Sequence, residues 1–167
     1  MHRVSLRIIV VMAALVASVV VGAGASPASE GGNYCAMEVD DPATMTCASS
    51  SDALDHAWQL ENKARRVQLL IARFYDNANY DTSAGYLEIY AAADCTASKT
   101  GVDSQNSDLG TWRDRISSLK SFGNCATRLW TGTSFTGTAY PSSGSYIVNS
   151  SSIGSSMNDK ARSAQFS

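Results

Sequence analysis

Histidine is almost absent from this 167-residue chain: His2 and His56 are the two it has. No His-Glu-x-x-His pair, Gly-x-Ser-x-Gly elbow or Gly-rich phosphate loop occurs, so zinc-protease, serine-hydrolase and nucleotide chemistry lack their usual frameworks. Cysteine is held to four residues. With no Cys-x-x-Cys pair and no histidine cluster beside them, they do not suggest a zinc site. Glu38, Glu61 and Glu88 are scattered, and nothing in their spacing sets two carboxyls across a cleft as a glycosidase needs. His56 stands beside Asp52 and Asp55 on an expected helix and reads as a surface histidine. These absences argue against an enzyme.

Basic charge is scarce as well. Without residues 1–25, which hold Arg3 and Arg7, 11 basic side chains face 15 acidic ones, a net charge of −4. A nucleic-acid binder needs a basic face to displace counterions, so none is expected. No block of like charge marks a membrane-binding patch. Long apolar runs are missing beyond the N-terminus. The one run, Ile8 to Val21, is shorter than the roughly 20 residues that span a bilayer comfortably.

That run follows Arg3 and Arg7 and precedes Ala23-Gly24-Ala25, small residues at the spacing a signal peptidase reads. Residues 1–25 are expected to be a secretory signal cut before Ser26. The remaining 142 residues suit one soluble, exported, monomeric domain with a core of its own. In an exported chain the even count of Cys35, Cys47, Cys95 and Cys125 reads as a two-disulfide framework. Three pairings are possible. Cys35–Cys47 with Cys95–Cys125 is favoured, because each pair then closes a loop within one region.

Residues 26–50 are rich in Gly, Ser, Ala and Thr and read as irregular. Ser49-Ser50-Ser51-Asp52 then offers cap oxygens, and Ala53, Leu54, Ala57, Trp58, Leu60 and Ala64 recur at helical spacing. With Asp52 and Asp55 early and Lys63, Arg65 and Arg66 late, as a helix dipole prefers, a helix is expected over 52–65. Residues 26–66 thus form an irregular and helical N-terminal extension, and 67–167 form the main domain. Val67, Leu69 and Ile71 alternate. Short aromatic and β-branched runs then follow at 72–75, 86–91, 116–121, 127–130, 137–140, 146–148 and 161–166, separated by turn residues. Such spacing predicts an all-β sandwich. Trp58, Trp112 and Trp130 sit in patterned apolar positions and read as core.

The sequence also repeats itself. Leu109-Gly110-Thr111-Trp112-Arg113-Asp114-Arg115-Ile116-Ser117-Ser118 matches Ile153-Gly154-Ser155-Ser156-Met157-Asn158-Asp159-Lys160-Ala161-Arg162-Ser163, with one residue inserted in the second copy. An aromatic hairpin lies upstream of each, Tyr75 to Tyr80 and Trp130 to Gly137. These residues resemble the paired Greek-key motifs of the βγ-crystallin family. In that family an aromatic, four residues, a second aromatic, one residue and a glycine make a folded hairpin, and Trp130, Phe135 and Gly137 fit. In the first copy Gly85 comes five residues after Tyr80 instead of two, so a longer or reshaped hairpin is expected. The resemblance covers residues 72–167. It implies a mainly β fold, two Greek keys forming one sandwich, preceded here by the N-terminal helix and disulfide loop.

The resemblance also implies a calcium signature at the start of each motif's last strand: Asn/Asp, Asn/Asp, any, any, Ser/Thr, Ser. Calcium takes several hard oxygens in a flexible cage. The first copy offers Arg113, Asp114, Ser117 and Ser118; the second offers Asn158, Asp159, Arg162 and Ser163. In the family each site borrows the Ser/Thr of the other motif. One site would then hold Ser117, Asn158 and Asp159. The other would hold Arg113, Asp114 and Arg162, where an arginine cannot ligate a cation but can pair with Asp114. The expectation is at most one calcium ion and one degenerate second site. The implied role is that of a calcium-stabilised, non-enzymatic secreted protein. The alternative is a proteinase inhibitor acting on an extracellular metalloprotease, with 140–146, carrying Pro141 and Gly144, as the exposed loop.

Overall fold

The short apolar runs pair into two sheets in a computed structural model that describes residues 33–62, 68–142 and 144–167. The signal peptide expected at 1–25, the end of the expected helix at 63–65 and Val67 lie outside the described residues. In chain order the elements are β1 (Tyr34–Glu38), β2 (Asp41–Ala48), α1 (Ser51–Asn62), β3 (Leu69–Tyr75), β4 (Tyr86–Ala91) and β5 (Ser104–Asn106). They continue with β6 (Ser118–Ser121), β7 (Thr127–Trp130), β8 (Ala139–Tyr140), β9 (Asn149–Ser150) and β10 (Ser163–Phe166).

The first sheet runs β2-β1-β4-β3-β6-β9 and the second β5-β10-β7-β8. Each Greek key lends its third strand to the other's sheet: β5 pairs with β10, and β9 pairs with β6. This exchange makes one βγ-crystallin-like sandwich of the two motifs. Alternating residues point inward, so Phe74, Leu87, Ile89 and Leu119 of the first sheet meet Leu129, Ala164 and Phe166 of the second. Phe74 and Phe166 stack with ring centres 6.3 Å apart. Trp112, Leu109, Ile116, Ile153 and Met157 close the core from the connections. Each such large side chain contributes about 1.5–3 kcal/mol by leaving water.

The stretch 26–50, expected to be irregular, contains a hairpin within its described part. Its strand β1 lies parallel to β4, so the N-terminal segment widens the first sheet. Burial of β1 on both faces removes the apolar–polar alternation that would mark it as a strand. Cys35 and Met37 enter the main core, while Ala36 faces a second, smaller core. That core lies under α1. Ser50 Oγ accepts the Ala53 N–H at the start of this helix, and Leu54 and Trp58, four residues apart, bury against Ala36, Ala48, Tyr75 and Tyr86. Both favoured disulfides are present: Cys35–Cys47 across the hairpin and Cys95–Cys125 between the loops that follow β4 and precede β7.

Two further differences are local. Strand β5 is polar, Ser104-Gln105-Asn106, and carries no apolar signal because its inward residue is the fully buried Asn106. The run at 146–148 gives only an isolated bridge, Ile147 with Thr127, and the strand proper is β9.

Candidate functional site

The two repeated connections cross each other, and they cross symmetrically. Asp114 N–H donates to Ala161 C=O at 2.9 Å, and Asp159 N–H donates to Ile116 C=O at 3.1 Å. One turn earlier Leu109 N–H donates to Arg162 C=O at 2.9 Å, and Ile153 N–H to Ser117 C=O at 3.1 Å. Both aspartates hold left-handed backbone, φ 59° and 53°, a conformation that short polar side chains tolerate better than most. The serines that end the signatures tie down the hairpins. Ser118 Oγ accepts Tyr80 N–H and donates to Asn77 C=O; Ser163 Oγ accepts Phe135 N–H and donates to Gly132 C=O.

The hairpins themselves match more closely than the glycine spacing suggests. Asn79 and Tyr80 share positive φ with Ser134 and Phe135, so the turns are alike and the first copy is lengthened only after Tyr80. Gly85 (φ +102°) answers to a neighbour: a Cβ there would lie 1.9 Å from the Asn33 carbonyl oxygen.

At one crossing the structure brings Ser117, Asn158 and Asp159 together. Ser117 Oγ–H donates to Asp159 Oδ1 at 3.3 Å, and Asn158 Nδ2 donates to Asp159 Oδ2 at 2.6 Å. The neighbouring Lys160 turns its ammonium to Ser155 C=O at 2.9 Å. At the other crossing Arg162 forks onto Asp114, with Nε 2.9 Å from Oδ1 and Nη2 2.9 Å from Oδ2. Arg113 does not join that pair. Its guanidinium bonds Asp108, five residues upstream. The hydrogen bond from Arg113 holds the Asp108 carboxyl below the usual carboxylate range, against the opposing effect of burial. A carboxyl with a depressed folded-state pKa stabilises above its unfolded pKa, about 3.9, and loses that contribution as pH falls through the folded value.

The residues that composition and motif gave no reason to single out lie on the outer face of the first sheet. Glu88 is 3% exposed, the one buried acidic side chain among the described residues. It receives Arg73 Nε at 3.0 Å, Arg73 Nη2, and the Tyr90 hydroxyl at 2.9 Å. Burial, and then the Glu88 charge, hold the Tyr90 phenol far above its ordinary range. Trp58 of α1 stacks on Tyr90 at 5.1 Å. The signal available in the sequence was the alternation of Tyr86, Glu88 and Tyr90, a charged residue between two aromatics facing one way. His56 is exposed on α1.

No protein-family model matches the chain, and no curated protein is significantly similar to it in sequence. Among solved structures the chain is similar to a double mutant of clostrillin in complex with nickel: 18% identity, 59% of this chain and 98% of that one, TM-score 0.41. It is similar to a βγ-crystallin domain from Clostridium beijerinckii at 20% identity, over 57% of this chain and 95% of that one, TM-score 0.41. A βγ-crystallin domain from Flavobacterium johnsoniae gives 20% identity, 58% and 93% coverage and a TM-score of 0.40. Likeness at this level fixes neither family nor function. The βγ-crystallin-like fold is read from the chain's own strand order and exchanged third strands.

Proposed function

We propose that this is a secreted, non-enzymatic βγ-crystallin-like protein whose fold is stabilised by one calcium ion at Ser117, Asn158 and Asp159. The observation that carries the reading is the asymmetry between two otherwise matched crossings. One gathers a carboxylate, a hydroxyl and an amide with no guanidinium bonded to them; the other has the Arg162 fork on its aspartate. With the Asn158 amide turned to present its oxygen, the first donor set is all hard oxygen and suits calcium, with carbonyls and water completing the shell. The second is already neutralised by a cation of its own. When bound, calcium would supply a cross-link between the connection before β10 and the start of β6. A single carboxylate makes a weak site, in the class of extracellular modules with dissociation constants of about 10⁻⁴–10⁻³ M.

Calorimetry and thermal unfolding with and without calcium test this. One ion per chain is expected, and at about 100-fold excess over the dissociation constant the gain is roughly 2.7 kcal/mol. Asp159→Ala abolishes the calcium shift. Asp114→Ala leaves it intact but lowers stability without calcium, because Arg162 loses its partner near Arg113. Two ions per chain, or loss of binding in Asp114→Ala alone, would overturn the one-site reading. Neither heat nor thermal shift in the wild type would mean that both crossings are vestigial.

A further inference from the structure

The internal repeat makes the outer faces of the two sheets directly comparable. Arg73 lies opposite Lys120 in the first sheet, and Arg128 lies opposite Gln165 in the second. Tyr75 lies opposite Ser118 as Trp130 lies opposite Ser163. Lys120 in turn faces Asn149, and Gln165 faces Gln105. Arg73 and Arg128 are therefore equivalent, and their surroundings differ in two respects. Arg73 faces Glu88 across the ladder and pairs with it. Strand β8 ends at Tyr140 opposite Leu129, so Arg128 has no β8 residue paired with it where Arg73 has its glutamate. The first face is also covered by α1 through Leu54 and Trp58; among the described residues no helix covers the second.

The consequence is visible in the ion pairs. Of the described arginines, Arg73, Arg113, Arg115 and Arg162 each pair with a carboxylate, and Arg128 pairs with none. Its Nε is buried and has no hydrogen-bond acceptor. Its guanidinium lies over the Trp130 ring, 4.7 Å from the centre. Trp130, expected in the core, is half-buried on this outer face, and its Nε1–H donates to Gln165 Oε1 at 3.1 Å. Arg128, Trp130, Gln165 and Gln105 thus share one outer face, with the Tyr146 phenol within reach of the Arg128 charge, and Arg128 has no ion-pair partner there on a chain with more acidic than basic residues. Arginine and tryptophan are the residue types that most often dominate protein interfaces.

We infer that the outer face of the second sheet, centred on Arg128 and Trp130, docks a polypeptide segment that presents a carboxylate to Arg128 beside an apolar side chain. Charge complementarity selects the carboxylate. The choice of polypeptide rests on the first sheet, where the equivalent face receives Glu88 and is covered by a helix of the protein. Arginine can take a carboxylate through two parallel hydrogen bonds, which gives direction as well as charge. The inference is independent of the calcium reading, since no residue of the patch belongs to the crossings.

The probe is a pair of capped tetrapeptides, Ac-Leu-Glu-Leu-Trp-NH₂ and its Glu-to-Gln counterpart, titrated into the full chain and followed by NMR at the Arg128 Nε–H and Trp130 Nε1–H. The glutamate peptide is expected to shift both signals at low millimolar concentration, and the glutamine peptide to bind at least about tenfold more weakly. Binding of the glutamate peptide should weaken with added salt. R128Q should abolish the difference between the peptides, and R128K should restore part of it. Equal binding of the two peptides by the wild type would overturn the inference without any variant being needed. So would the absence of shifts at Arg128 and Trp130, or shifts that follow protein concentration alone, which would assign the face to a second copy of this chain.

Discussion

Arg73→Ala is expected to cost about 3–5 kcal/mol, because it leaves the Glu88 carboxylate buried without its cation. Glu88 is 3% exposed beneath α1, and without Arg73 only the Tyr90 hydroxyl remains bonded to it among the contacts described. Tyr90 is a neutral donor whose phenol is already held up by burial and by Glu88, so it cannot replace the lost charge. The substitution also removes a guanidinium packed 4.4 Å from the Tyr86 ring centre. In the variant Glu88 keeps one neutral hydrogen-bond donor, Tyr90, and no cation. Replacing both partners, Arg73→Leu with Glu88→Leu, should be far milder, because no buried charge is stranded. Urea unfolding of the wild type, the single and the double variant at pH 7 measures this. A single variant within about 1 kcal/mol of wild type, or a double variant as damaged as the single, would show that the pair lies in effect in solvent.

The sandwich was legible because its strands alternate and its motifs repeat. Tyr86–Ala91 and Thr127–Trp130 are strands with the boundaries their composition suggests, and the repeat aligns Asp114 with Asp159 as the crossing hydrogen bonds do. Legibility failed where a strand's neighbours, not its own composition, decide its fate. Strand β1 is buried on both faces and so has no alternation; β5 is polar and exists because β10 offers an edge to it. At the crossings, the residue types forecast an Arg–Asp pair, and Arg162 supplies it. Which arginine would do so, and that Arg113 would turn to Asp108 instead, depends on backbone direction at Asp114, which spacing does not carry. Glu88 is the clearest case of missing information. A lone glutamate among tyrosines reads the same whether the face is open or covered, and spacing does not show that Trp58 of α1 stacks on the Tyr90 that bonds it.

Removing either disulfide should destabilise the protein, but the two should fail in different places. The loop-closure model assigns about 3.7 kcal/mol to Cys95–Cys125 and about 2.8 kcal/mol to Cys35–Cys47, from separations of 30 and 12 residues. The larger loop contains β5 and β6, one strand of each sheet, so opening it loosens the sandwich as a whole. Asp94 softens the loss. Its Oδ1 accepts both Cys95 N–H and Asn124 N–H at 2.9 Å, and Gly123 makes room for it, since a Cβ there would lie 2.5 Å from Oδ1. The smaller loop is the β1–β2 hairpin at one edge of the first sheet: β1 pairs with β4 and sends Cys35 and Met37 into the main core, while Ala36 and Ala48 share the second core with α1, Tyr75 and Tyr86. Cys35→Ala/Cys47→Ala should therefore open locally before the whole protein unfolds. Amide hydrogen exchange should speed up in β1, β2 and α1 while β7 and β10 keep their protection. Cys95→Ala/Cys125→Ala should lower protection in both sheets together, with the midpoint of urea unfolding falling accordingly. Uniform loss of protection in the hairpin variant would mean that β1, β2 and α1 unfold with the sandwich as one unit, so that the N-terminal segment is an integral part of the domain's cooperative core.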